Sequence, residues 1–236
     1  MDPKPWNDKY DTPNYVYTKD VNQFVVEFVK DLAPGTAIDL AGGEGRNAVW
    51  MAEQGWVVEN IDFAENALKK YRLLAEERGV AERCIATCQS ALEFTSQLAP
   101  VDLAVVAYLH IYSHQFEAAL ANAVAALKPG GLLFGVWHAL DNLKSEHAHG
   151  PQNPDVLPSV ESLTALCGRL GLEVLTCENR DGKVRTDCVG PATPNVEIKI
   201  DENGEVLYKS PGQFVGYFKE PEKTAETMPE DGFVRT

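Results

Sequence analysis

The sequence predicts an α/β protein built on a doubly wound, mostly parallel sheet with helices on both faces. Three observations carry this. Apolar runs of strand length alternate with helical-period segments of roughly 10–15 residues. One run, residues 103–108, is apolar throughout, the pattern of a strand buried on both faces. The first run ends in an acid and a glycine cluster, Asp39-Leu40-Ala41-Gly42-Gly43-Glu44-Gly45, which leads directly into a helical pattern.

Taken in order, residues 21–29 place Phe24, Val25 and Phe28 on one helical face and stop near Pro34-Gly35. A strand over 37–40 follows, then a helix carrying Val49, Trp50 and Ala52 that Gly55 ends. Residues 56–61 form the second strand. Ala64, Ala67, Leu68, Tyr71, Leu74 and Ala75 then recur at helical spacing as far as Gly79. Residues 84–88 and 103–108 are further strands, and 115–127 is an alanine-rich helix. Lys128-Pro129-Gly130-Gly131 is expected to turn into a strand over 132–137. Ser159 caps a helix through Leu170, and 172–177 reads as strand again. No internal repeat or low-complexity tract is present.

At 236 residues the chain has room for one sizeable α/β domain and a small appendage. Its net charge of -14 argues against sequence-independent attraction to nucleic acid or anionic lipid, both of which need a basic face. No run approaches the ~18 apolar residues of a membrane span, and Met1-Asp2-Pro3-Lys4-Pro5 opens no signal peptide. The five cysteines, Cys84, Cys88, Cys167, Cys177 and Cys188, are odd in number and contain no C-x-x-C pair. They read as reduced, mostly buried thiols of a cytoplasmic protein.

The glycine turn carries the chemistry. Glycine leaves bare peptide for a ligand to rest against, while the following helix offers unpaired N–H groups and its positive end. Asp62 closes the second strand, where an open parallel sheet positions the acid that grips ribose hydroxyls. A nucleoside cofactor is therefore expected. Gly43-x-Gly45-x-x-Ala48 also satisfies the loose dinucleotide fingerprint. Asp39 favours the other choice, since a carboxylate there repels a pyrophosphate and attracts the cationic end of S-adenosyl-L-methionine. Glu44 and Asp62 are expected to add to that preference.

The stretch Asp39-Leu40-Ala41-Gly42-Gly43-Glu44-Gly45-Arg46-Asn47-Ala48-Val49-Trp50-Met51-Ala52 resembles the first motif of class I S-adenosylmethionine-dependent methyltransferases. The likeness is to the bacterial branch related to tellurite-resistance and thiopurine methyltransferases. Trp6-Asn7-Asp8-Lys9-Tyr10, Ile61-Asp62-Phe63-Ala64, Ala107-Tyr108-Leu109-His110-Ile111, Leu127-Lys128-Pro129-Gly130-Gly131 and His149-Gly150-Pro151-Gln152-Asn153-Pro154-Asp155-Val156-Leu157 are similar to further stretches of that branch. The resemblance spans residues 6–189 and implies a Rossmann-like sheet of seven strands with S-adenosyl-L-methionine as cofactor. It implies that Asp39, Ala41 and the backbone of Gly43 and Gly45 hold the methionine end, that Asp62 binds the ribose, and that Phe63 flanks the adenine. Ala41 stands where the pattern has its first glycine. Ser90 and Ala91 stand where relatives place an acid beside the adenine amine, which makes the Ser90 hydroxyl the candidate there. Trp6 and Tyr10 are candidates for a flap over the cofactor, with plain aromatic packing as the alternative.

A sulfonium is already activated, so alignment of the acceptor supplies most of the rate, and a general base is needed only for a protonated acceptor. His110, at the end of the fourth strand, is the candidate base, and Tyr108, Tyr112 and His138 are candidate acceptor-side residues. A histidine bonded into the scaffold is the competing reading. His138, His147 and His149 lack a matching set of cysteines or carboxylates, so no metal is expected.

Residues 190–236 read differently. Residues 196–200 and 205–210 alternate at strand period around Glu202-Asn203-Gly204, which predicts a β-hairpin, with a short helix over 221–227. This stretch resembles part of the adenylate-forming enzymes, such as acyl-CoA ligases, and lacks the elements they need for adenylation. The expected organisation is a methyltransferase domain over 1–189 and a loosely attached β-rich tail over 190–236. The expected function is methyl transfer to a small-molecule nucleophile, a thiol or chalcogen oxyanion among them. A monomer or weak dimer is expected, with neither nucleic acid nor membrane as partner. The alternatives are an S-adenosylmethionine-binding protein without turnover and, more remotely, a remnant of an acyl-CoA ligase/methyltransferase fusion.

Overall fold

The computed structural model describes residues 2–144 and 149–180, together with the backbone of residues 197–200, 206–209 and 234–235. The chain divides into two units, Met1–Asn179 and Arg180–Thr236. In the first, strands β1 (Thr36–Leu40), β2 (Val57–Asp62), β3 (Cys84–Cys88), β4 (Val101–Ala107) and β5 (Leu127–Val136) form one sheet in the order β3-β2-β1-β4-β5. All of its pairings are parallel. The strand order reverses between β1 and β4, which opens a crevice at the carboxyl ends of those two strands.

Among the described residues six α-helices accompany the sheet: α1 (Lys4–Tyr10), α2 (Gln23–Val29), α3 (Arg46–Glu53), α4 (Glu65–Glu77), α5 (Ser113–Ala125) and α6 (Val160–Arg169). Alternation along the strands fills both faces. Ala37, Val58, Leu103 and Val105 pack with Val25 of α2, Met51 of α3 and Tyr71 of α4. Ile38, Leu40, Ile61, Ala104 and Val106 pack with Phe116 and Leu120 of α5 and Leu166 of α6. Burial of a side chain such as Ile38 or Leu40, both fully enclosed, stabilises the fold by about 2 kcal/mol. Helix starts are set locally. Asn22 Oδ1 accepts from the Phe24 N–H at the start of α2, and Ser159 and Ser162 form a reciprocal capping box on α6.

Three expectations change. Lys128–Gly131 is a bulge within β5 rather than a turn before it. The register passes from Val101↔Leu127 to Leu103↔Leu132, and Gly130 takes the corner with φ of 77°. Lys128 pairs with Asp102 on the neighbouring strand. Residues 172–177 form no strand, because their backbone finds no ladder partner among the described residues, and Leu175 is 72% exposed. Among the described residues the sheet of the first unit therefore has five strands where seven were expected. Cys84, Cys167 and Cys177 are half-buried and Cys88 is exposed, so the described thiols are free but none is fully buried.

In the second unit, β6 (Glu197–Ile200), β7 (Val206–Lys209) and β8 (Val234–Arg235) form an antiparallel sheet in the order β6-β7-β8. The expected turn at 202–204 and helix over 221–227 lie outside the described residues, as do His147 and Cys188.

Candidate active site

β1 delivers the chain into a turn that only small residues can follow. Ala41, Gly43 and Gly45 take φ of 55°, 57° and 78°. Gly45 begins α3 in the left-handed region, and a Cβ there would lie 2.1 Å from the Tyr71 ring, so side chain and conformation are both excluded. The Ala41 N–H donates to the Ile61 carbonyl at 2.7 Å, which carries the β1–β2 ladder one residue beyond the strand.

Asp39 lies fully enclosed near the end of β1, and neither of its carboxylate oxygens has a hydrogen-bond partner among the described residues. Burial pushes its carboxyl up to about 7, while the Arg46 guanidinium and the amide of Ala48 oppose that rise and the Asp62 charge adds to it. Asp62 is braced from two sides. Its Oδ2 accepts the Gly43 N–H at 2.9 Å and its Oδ1 the Ala64 N–H at 2.8 Å. Burial raises the Asp62 carboxyl, against the amides of Ala64, Gly43 and Phe63.

Glu44 departs from its expected role. It forms a buried ion pair with Lys70 at 2.9 Å and accepts the N–H groups of Val16 at 2.9 Å and Tyr17 at 3.1 Å. Its charge is neutralised by Lys70 and its oxygens anchor the N-terminal segment, so it does not add to the pull on a cation.

The rim is aromatic. Tyr10 is buried with Ala64 and Ala67, and Phe63 packs against that cluster. The Tyr10 hydroxyl reaches within 2.9 Å of where a Gly43 Cβ would stand. Trp6 stacks on Tyr10 at 5.9 Å between ring centres and carries the Lys9 ammonium 4.6 Å above its face. The Ser90 Oγ accepts the Leu92 N–H at 3.2 Å, forming a local turn that keeps its hydroxyl proton available.

Across the crevice, Tyr108 follows β4 with φ of 60°, an uncommon conformation for a bulky residue. Its hydroxyl accepts from Asn22 Nδ2 at 3.1 Å. The rings of Tyr108 and His138 lie 5.1 Å apart, and those of His110 and His138 stack at 5.4 Å. His110 Nε2 accepts the His138 backbone N–H at 3.1 Å, which places the ring proton on Nδ1. Burial, reinforced by His138, lowers the His110 imidazole to about 4, and burial also lowers His138. His110 is thus neutral at physiological pH, with Nε2 already engaged, and that geometry does not suit it to take a proton there. Tyr112 stands 51% exposed at the start of α5, apart from the ring cluster. Among the described residues no group of histidines, cysteines and acids is arranged to hold a metal.

Residues 37–131 match the profile of a family described as a methyltransferase domain. This stretch is similar to a methyltransferase domain. The match covers the glycine turn, Asp62 and both strands flanking the crevice. The curated relatives include a ubiquinone biosynthesis O-methyltransferase of Idiomarina loihiensis, 34% identical over 47% of this chain and 45% of that protein. A tRNA 5-carboxymethoxyuridine methyltransferase of Escherichia coli is 30% identical over 41% of this chain and 37% of its own length. A protein of Mycobacterium tuberculosis named as a fatty-acid–CoA ligase, fadD11, is 41% identical over 28% of this chain and 12% of its own length. The chain thus spans less than half the length of these relatives.

Solved structures share the fold. A glycopeptide N-methyltransferase, MtfA, determined with S-adenosyl-L-methionine, has a TM-score of 0.55 at 17% identity, covering 68% of this chain and 83% of that one. A Geobacter sulfurreducens S-adenosylmethionine-dependent methyltransferase determined with S-adenosyl-L-homocysteine has a TM-score of 0.53 at 20% identity, covering 73% of this chain and 72% of that one.

The crevice contains site residues that the sequence pattern did not reveal. Asn60, fully buried on β2, donates through Nδ2 to the Gly43 carbonyl at 3.0 Å, and its Oδ1 has no partner among the described residues. Asn22 links the two sides of the crevice, since its backbone N–H donates to Asn47 Oδ1 at 3.0 Å while its side chain reaches Tyr108. No sequence signal singles out Asn60: Glu59, Asn60 and Asp62 all make the end of the second strand polar, and only the register places Asn60 beside Asp39.

Proposed function

We propose that the chain is a cytoplasmic S-adenosyl-L-methionine-dependent methyltransferase acting on a small-molecule nucleophile, of the branch related to tellurite-resistance and thiopurine methyltransferases. The observation that carries this reading is Asp39, an enclosed carboxylate without a donor beneath bare peptide at the switch point of the sheet. An unpaired anion in dry surroundings is costly, and a cationic ligand relieves it. The residues present therefore fit S-adenosyl-L-methionine, which when bound supplies a methyl group activated on a sulfonium.

The remaining work is alignment. Asp39 faces the cationic end, Asp62 holds Gly43 in place and offers its remaining lone pairs to the ribose, and Phe63 with Tyr10 and Trp6 covers the base. On the acceptor side the neutral imidazoles of His110 and His138, beside the Tyr108 ring, favour a soft, neutral nucleophile such as a thiol over an oxyanion. His110 acts as a positioning residue for His138, whose imidazole is the group to take the thiol proton. The net charge of -14 supports a small acceptor over a nucleic acid. We assign the ligase likeness to the tail beyond residue 189, outside the catalytic body.

Release of S-adenosyl-L-homocysteine tests this, with thiophenol, phenol and benzoate as acceptors. Turnover with thiophenol above the acceptor-free rate, reduced in His138→Phe, is expected. Saturable cofactor binding without turnover on any of the three would contradict the enzymatic reading and favour a passive binder.

A further inference from the structure

Asn60 and Asp39 are register partners on β2 and β1, so their side chains leave the sheet on the same face. The bond from Asn60 Nδ2 to the Gly43 carbonyl fixes which way the amide points and leaves Oδ1 on the side of Gly42. A Cβ built on Gly42 would lie 2.4 Å from Asn60 Oδ1 and 2.7 Å from Asp39 Oδ2. Both oxygens therefore approach one bare Cα, and neither makes a hydrogen bond of ordinary geometry among the described residues. Two acceptors held together in an enclosed space repel unless one of them carries a proton. An amide oxygen does not take one at ordinary pH, but a carboxylate does.

We propose that Asn60 holds Asp39 as a neutral carboxylic acid, its O–H aimed at Asn60 Oδ1, and that binding of the cationic cofactor expels this proton. The inference rests on the S-adenosyl-L-methionine reading above. In the step the Asp39 O–H bond breaks, the carboxylate keeps the electron pair, and the proton passes to the buffer. Asn60 is thus a positioning residue that prepares a neutral pocket whose charge develops only against a cation.

The surroundings of Asp39 pull in both directions. Arg46 and the Ala48 amide on α3 favour the ionised form of Asp39, and Asp62 at the end of β2 disfavours it. Tyr71 on α4 is kept neutral by burial, and β4 places the apolar Val105 in register with Asp39. Burial outweighs the other influences and leaves the carboxyl at about 7, where both protonation states are populated.

Calorimetric titration of the full chain with S-adenosyl-L-methionine, in buffers of differing ionisation enthalpy, counts the protons exchanged. At about pH 6, where the amino acid end of the cofactor is already charged, close to one proton is released per cofactor bound. At about pH 8.5 release is small. The dissociation constant rises about tenfold for each unit of pH below about 7 and is flat above it. Asp39→Asn removes both the release and the slope, and Asn60→Ala moves the inflection to lower pH. Saturable binding by the native chain with no proton released at about pH 6 would overturn the inference alone, as would release that persists in Asp39→Asn. Folded protein that binds no S-adenosyl-L-methionine would overturn the cofactor reading and this inference with it.

Discussion

Glu44 and Lys70 form an ion pair of 2.9 Å between side chains that are only 5% and 10% exposed, directly behind the glycine turn. Lys70 also donates to the Asn14 carbonyl at 2.6 Å, while Glu44 receives the Val16 and Tyr17 amides. The pair therefore ties residues 14–17 to the turn and helps to hold α1, with Tyr10, over the crevice.

Breaking that pair from one side leaves a buried charge alone. Lys70→Met is expected to lower stability by about 3 kcal/mol in urea denaturation and to weaken S-adenosyl-L-methionine binding as the N-terminal segment loosens. The double variant Glu44→Leu/Lys70→Met should cost less than the sum of the single changes. Strict additivity would show that the two side chains act independently.

Gly45 and Gly79 both take positive φ, at 78° and 69°, but their surroundings differ. A Cβ on Gly45 meets the Tyr71 ring, whereas one on Gly79 meets nothing within 4 Å. Gly79→Ala should cost about 1 kcal/mol from backbone strain alone. Gly45→Ala adds overpacking and should exceed it by about 2 kcal/mol. Equal melting temperatures for the two variants would contradict the close approach of Tyr71.

Asp39 is a stability liability in the ligand-free protein. Its folded carboxyl lies at about 7, above the ordinary value of 3.8, so the contribution to stability is present below 3.8 and is lost as pH rises through about 7. Asp39→Asn is therefore expected to stabilise the free protein at about pH 8 by about 3 kcal/mol, with the gain shrinking toward about pH 4. A variant less stable than the parent at alkaline pH would show that the carboxylate is held by favourable contacts.

His110 has the opposite pH dependence. Its folded imidazole lies at about 4, below the ordinary 6.5, so the stability it contributes is fully present above 6.5 and is lost as pH falls toward 4. The loss is on the order of 2–3 kcal/mol. Urea midpoints measured between about pH 4 and 6.5 should show a smaller acid-side decline in His110→Gln than in the parent.

The tail is expected to be dispensable for the site. Truncation after Val189 should leave the cofactor affinity unchanged and the melting temperature of the remaining body similar. A large fall in either would assign the tail a part in the methyltransferase fold.

Much of the first unit was legible because its signals are local. The order of strands and helices, the Ser159 cap and the turn from Asp39 to Gly45 follow from periodicity, capping and glycine placement. What was not legible depends on partners distant in sequence. Residues 172–177 have strand-like composition, but a strand exists only where another backbone pairs with it. Glu44 reads as a ligand acid until Lys70 of α4, 26 residues on in sequence, pairs with it. His110 reads as a base until the His138 N–H occupies its Nε2. Asn60 became visible only when register placed it beside Asp39.

The proposed function requires the Asp39 site to accept a sulfonium cofactor. The most direct measurement is isothermal titration of the full chain with S-adenosyl-L-methionine at about pH 7.5, repeated with Asp62→Ala. One saturable site in the native chain, weakened at least about tenfold in a folded Asp62→Ala variant, is the predicted result. No saturable binding to the folded native chain, or binding indifferent to Asp62, would contradict it.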